Sequence, residues 1–101
     1  MLYHIEESTK FTPDRHHTEL VADFPEGRLA VFSLEPGHIV DGHQAPARVL
    51  MYVVLGRGEL VVGDEVLAVK PGDMANVDPY VTHGMRASEE RFVVMAVIIR
   101  M

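Results

Sequence analysis

Two histidines carry most of the chemistry this sequence offers. His43 follows the tetrapeptide Glu35-Pro36-Gly37-His38, and His83 follows Lys70-Pro71-Gly72-Asp73 in the stretch MANVDPYVTHGMRA. Each tetrapeptide puts proline where φ is preset and glycine where φ must turn positive, which is the signal of a type II turn. A strand should leave each turn, and two such units in one small chain should bring their imidazoles into one interior. There they can give nitrogen lone pairs to a divalent transition metal (Fe, Mn, Ni or Zn). They can equally hydrogen-bond a ligand or each other, or work as a general acid and base. A tight metal site asks for three or more protein ligands. Asp41, two residues from His43 and so on the same strand face, is the candidate third, and it would complete a set of two histidines and one carboxylate like that of non-haem iron.

The elements that must position these residues read as strands. Arg48–Leu55, RVLMYVVL, is rich in β-branched and apolar types until Gly56-Arg57-Gly58 breaks it. Alternation puts Val49, Met51 and Val53 on one face and Leu50, Tyr52 and Val54 on the other, and since neither set is polar, burial of both faces is expected. Leu2–Ile5 and Ser8–Phe11 are short strand candidates. Thr18–Phe24 and Leu29–Leu34 are strand-like runs joined by a four-residue connection, Pro25-Glu26-Gly27-Arg28. Glu59–Val62 and Glu65–Val69 flank the two-residue loop Gly63-Asp64. Arg91–Arg100 reads as a last strand buried on both faces. Helical periodicity is absent, so about nine to eleven short strands over one domain, residues 1–101, predict an all-β sandwich or barrel, and the paired turn-histidine units fit the Greek keys of a jelly roll.

Counting alternate residues from the histidines predicts what lines the interior. His43 brings Asp41 and Ala45, Val49 brings Met51 and Val53, and His83 brings Met85 and Ala87. The set is mostly apolar, with Tyr80 and Thr82 placed to offer hydroxyls at the mouth. Methionine adapts to irregular gaps, so Met51 and Met85 suit either a packed core or a pocket for a small, mainly apolar molecule. Adjacent His16 and His17 point to opposite faces and read as strand-edge or surface residues. Arg48, Arg86 and Arg91 are cations available to an anionic ligand, but alternation turns Arg48 and Arg86 away from the histidine face.

Composition excludes several function classes. The formal net charge is −6 and the pI about 5.4, an acidic balance that repels nucleic-acid phosphates and anionic lipid, so neither nucleic acid nor membrane is an expected partner. Without cysteine there is no disulfide, thiol catalysis or thiolate metal site. The first residues, MLYHIEESTKF, lack the basic and apolar regions of a signal peptide, and no stretch reaches transmembrane length, so a cytoplasmic protein is the expectation.

The spacing of Gly37, His43 and Gly56, followed by Gly63, Pro71-Gly72-Asp73 and His83, resembles the two motifs of the cupin superfamily. The resemblance implies a jelly-roll β-barrel, a metal held by four ligands, and relatives that include dioxygenases, isomerases and decarboxylases. Its ligand set carries over in part, to His43 and His83. The first motif's second histidine falls on Ala45 and its glutamate on Val49. The second motif's Pro-x-Gly portion reads Asp78-Pro79-Tyr80-Val81-Thr82, and its asparagine falls on Ala87. Two functions follow as expectations: a binding module that holds a small apolar molecule, with a divalent metal held weakly if at all, or a metal-dependent enzyme of one of those types.

The apolar outward residues Leu50, Tyr52 and Val54, the two-sided last strand and the many sheet edges of a small barrel lead to a homodimer; the resemblance to cupins implies pairing by a lent N-terminal strand, for which Leu2–Ile5 is the natural segment. Light scattering at micromolar concentration should give a dimer mass, and a monomer would contradict this expectation.

Overall fold

The computed structural model describes residues 1–101 as nine strands preceded by one 3-10 turn, Ile5–Ser8. The strands are β1 (His17–Phe24), β2 (Gly27–Leu34), β3 (Ile39–His43), β4 (Ala47–Leu55), β5 (Gly58–Val62), β6 (Glu65–Val69), β7 (Met74–Val77), β8 (His83–Ala87) and β9 (Phe92–Arg100). They form a five-stranded sheet in the order β1-β2-β9-β4-β7 and a four-stranded sheet in the order β3-β8-β5-β6. The chain passes repeatedly from one sheet to the other, and every pairing is antiparallel, as in a jelly roll. No helix is long and apolar enough to cross a membrane.

Turn chemistry sets the strand boundaries. Gly37 and Gly72 take φ of 82° and 96°, and the turns close with His38 N donating to Glu35 O at 3.0 Å and Asp73 N to Lys70 O at 3.1 Å. The connection between β1 and β2 is shorter than the expected four residues. Gly27 and Arg28 are already in the ladder, paired with Phe24 and Asp23, which leaves Pro25-Glu26 as the loop.

The expected strands Leu2–Ile5 and Ser8–Phe11 do not form. Glu7 N donates to His4 O and Thr9 N to Glu6 O, which coils Ile5–Ser8 into the 3-10 turn. Lys10 N then donates to Ser33 Oγ at 3.2 Å, so this segment satisfies a serine that is only 1% exposed. A local coil and a tie to one side chain take the place of a ladder partner.

Two-sided burial of the central strand is also corrected. Val49, Met51 and Val53 are buried, but Tyr52 and Leu55 on β4 are 37% and 49% exposed, because no third layer covers the outside of the five-stranded sheet. In β9 both faces are buried only over Phe92–Val94, and the outward residues emerge from Met95 to Ile99.

The inward side chains of β9 decide where the interior is solid. Phe92 pairs with Leu34 across β2, both fully buried, and its ring packs so closely on Gly58 that an added Cβ there would stand 2.9 Å from it. Val94 pairs with Phe32 and with Val53, Ala96 with Ala30 and Met51, and Ile98 with Arg28 and Val49. The Phe92 end is therefore plugged, and the row through Ala30 and Ala96 leaves room. Phe92→Ala should lower unfolding free energy by about 3–5 kcal/mol in a urea titration. A loss under ~1 kcal/mol would mean that this end is not packed as described.

Candidate functional site

A cavity of about 580 Å³ opens at the end of the barrel away from Phe92, and nine of its fifteen lining residues are hydrophobic. The ladders explain its position. At this end Ala47 pairs with Arg100, Arg28 with Ile98, and His43 with His83. Val49, Met51 and Met85 form the apolar walls, and each is also part of the buried core. The volume lies within the ~300–1,000 Å³ range of small-molecule sites.

His43 ends β3 directly opposite His83 on β8, with ring centroids 4.3 Å apart and planes tilted by 55°. Gly84 makes this approach possible, since a Cβ there would lie 2.6 Å from Val40 O on β3. His83 is 5% exposed, whereas His43 is exposed at the rim. His83 Nδ1 lies 3.1 Å from Val81 O and His43 Nδ1 lies 3.3 Å from Asp41 O. A carbonyl only accepts, so in each neutral ring Nδ1 carries the proton and Nε2 keeps its lone pair. Burial pushes the His83 pKa below the ordinary 6.5; its bond to Val81 O works the other way, and the neighbouring His43 adds to the lowering.

Two Nε2 donors do not make a tight metal site. No group of three or more His, Cys, Asp or Glu residues is gathered to hold a metal ion. Asp41 is exposed and outside the cavity lining, which corrects its expected role. The cause is the register shift between Val40 and His43, which breaks the alternation that placed Asp41 on the His43 face. Ala45 and Val49, which fall on the other two first-motif ligand positions, do line the cavity, where they present apolar wall in place of donor atoms.

Of the remaining expected pocket residues, Met51 and Met85 line the cavity but Ala87 and Tyr80 do not. Ala87 keeps the inward face of His83 and Met85, yet it pairs with Gly58 and so lies in the packed half, within the hydrophobic core. Tyr80 takes a positive φ of 67°, is 67% exposed, and uses its backbone N–H to bond Ala45 O at 2.9 Å. It fixes the loop that carries Ala45 and contributes no hydroxyl to the lining.

Arg48, Arg86 and Arg91 lie outside the lining, as alternation predicts for the first two. Arg48 lies 2.7 Å from Asp78 and Arg86 lies 3.8 Å from Glu59, while Arg91 bonds Glu35 at 2.8 Å and covers the Phe11 ring. In their place stand Arg28 and Arg100, joined by Phe32 and Ile98. Ionisable residues at strand ends give no local signal of facing inward, and the β2–β9 register had to be known first. The polar cluster around His16 and His17 is a separate, more open recess.

Two antiparallel sheets wound into a jelly roll, with an open, mostly apolar cavity and a facing histidine pair at one end, are the architecture of a small double-stranded β-helix barrel. Residues 30–99 match the family model of the Cupin domain, and the chain belongs to that family. Solved structures agree on the fold. An RmlC-like cupin protein from Desulfovibrio desulfuricans is 25% identical, with 98% of this chain and 96% of that one covered at a TM-score of 0.88. A conserved Klebsiella pneumoniae protein with a double-stranded β-helix domain is 23% identical over 97% of this chain and 88% of its own, with a TM-score of 0.90. A Thermus thermophilus protein, TT1209, is 18% identical over 99% and 98% of the two chains, also at 0.90. Among curated proteins none matches this chain.

The histidine burial has a consequence for stability. A pKa lowered by folding means that the native state binds fewer protons than the unfolded one, so the associated stability is present above about 6.5 and is lost as pH falls through the folded value. His16, also lowered chiefly by burial and then by Arg15, acts in the same direction. Wild type should lose stability between pH 7 and pH 5 in urea titrations, and His83→Gln should show a shallower loss. Equal slopes would contradict the assigned burial of His83.

Proposed function

We propose that this cupin domain binds a small molecule with a mainly apolar body in the open half of its barrel. The observation that carries the reading is the cavity itself, about 580 Å³ between two sheets, walled by Val49, Met51 and Met85. Each methylene moved from water into such a site contributes about 0.8 kcal/mol, so a body of a few carbons supplies useful affinity. The paired imidazoles, each with Nε2 as an acceptor, suit a hydroxyl or another donor on the ligand. Replacing the metal-ligand positions by Ala45 and Val49 turns a site for donor atoms into a site for hydrocarbon.

A second reading is a metal-dependent cupin enzyme of the dioxygenase, isomerase or decarboxylase type. The His43–His83 pair favours it, since the two rings lie 4.3 Å apart, centroid to centroid, and each spends Nδ1 on a backbone carbonyl and keeps its Nε2 lone pair. A divalent ion there would have two protein donors and would take the rest of its shell from water or ligand, so it would be held weakly. Such an ion would supply Lewis acidity, and the chain's own part would be to orient the ligand and exclude water.

The uncharged fluorophore N-phenyl-1-naphthylamine tests the binding reading. It should bind saturably at one molecule per chain with enhanced emission. Met51→Ala should change its Kd several-fold while costing no more than about 2 kcal/mol, the low end for a buried methionine, because the site is already hollow on one side. Tyr52→Ala, on the opposite face of the same strand, should leave the Kd unchanged. No saturable binding, or a Kd indifferent to Met51→Ala, would contradict the proposal.

A further inference from the structure

The cavity mouth concentrates positive charge in a chain of net charge −6. Its ionisable lining residues are Arg28, Arg100, His43 and His83, with no aspartate or glutamate among them. The two arginines come to the same rim through the ladder: Arg28 pairs with Ile98, and Arg100 lies two residues beyond Ile98 on the same face. One carboxylate, Asp23, serves both. It lies 2.7 Å from the Arg100 guanidinium and 3.5 Å from Arg28 Nε.

One side-chain carboxylate is thus shared between two guanidiniums, and the two arginines differ in how they are held. Arg100 is anchored, since it also donates to the carbonyl oxygens of Phe24 and Gly27, the latter at 3.2 Å. Arg28 has the longer contact with Asp23, and its side chain is 50% exposed. Its terminal nitrogens therefore keep donors for another acceptor. A planar guanidinium with free donors beside an apolar wall matches a carboxylate on a hydrocarbon body, because the fork can take two oxygens at once.

We propose that the ligand of this cavity is an amphipathic monocarboxylate, its carboxylate held at Arg28 and Arg100 and its hydrocarbon body lying along Met51 and Met85. This deepens the binding reading and rests on it. Asp23 acts as a positioning residue, because it orients the two guanidiniums without touching the ligand.

Calorimetric titration of the full chain with octanoate and, separately, with octanamide tests the proposal at pH 8, where an imidazole is mostly neutral. Octanoate should bind about tenfold more tightly than its uncharged counterpart, and the ratio should shrink at 0.5 M NaCl. Arg28→Gln should bring the two ligands to within about twofold, whereas Arg48→Gln, which alters an arginine outside the cavity, should preserve the wild-type ratio. Equal affinities in wild type, binding of neither, or an unchanged ratio in folded Arg28→Gln would each overturn the carboxylate assignment. Because N-phenyl-1-naphthylamine has no charge, its binding with equal octanoate and octanamide affinities would defeat this assignment alone, whereas its failure to bind would defeat the reading beneath it. Should Arg28→Gln not fold, the wild-type ratio and its salt dependence decide the matter.

Discussion

The inward residues of β9 set the interior on which the rest depends. They run Phe92, Val94, Ala96, Ile98 and Arg100, and because β9 is hydrogen-bonded to β2 on one side and β4 on the other, this sequence is projected across the five-stranded sheet. Phe92 and Val94 fill the barrel against Leu34 and Val53. Ala96 faces Ala30 and Met51, so that row carries too little volume to fill the space. Two sheets held apart by bulk at one end cannot collapse fully at the other, since packed interiors deform only slightly. The cavity is thus a consequence of a size gradient along one strand.

The same geometry links the histidines to the cavity. β3 can approach β8 only because Gly84 has no side chain, and that approach sets His43 against His83 at the hollow end. Backbone carbonyls from Val81 and Asp41 then fix the Nδ1 protons, leaving Nε2 as the reactive atom of each ring. In a site with more donors these would be ligand-orienting contacts of the kind metal centres use. Here Ala45 and Val49 face the same space, and the polar machinery is reduced to an acceptor pair beside a hydrocarbon wall.

Much of this was legible in the sequence where the cause is local. Pro36-Gly37 and Pro71-Gly72 announce their turns, and the Val49, Met51, Val53 face follows from alternation within one strand. The failures share a different cause. Asp41 was misplaced by a register shift that two residues of sequence do not reveal, and Tyr80 by a left-handed backbone that tyrosine rarely adopts. Ala87 has the right face but the wrong end, which only the position of Phe92 decides. Arg28 and Arg100 are far apart in sequence and meet only through the β2–β9 ladder. Leu2–Ile5 and Ser8–Phe11 have strand-like composition, but an apolar segment becomes a strand only when an edge accepts it.

The proposed ligand site is the hollow half of the barrel, between Met51 and Met85. Methionine methyl groups report on it directly. With carbon-13 methyl labelling, saturating N-phenyl-1-naphthylamine should shift the NMR signals of Met51 and Met85 and leave that of Met74, which is 60% exposed on the outside of the five-stranded sheet, in place. Shifts at Met74 with Met51 and Met85 unmoved would place the molecule on the outer surface and contradict binding inside the barrel.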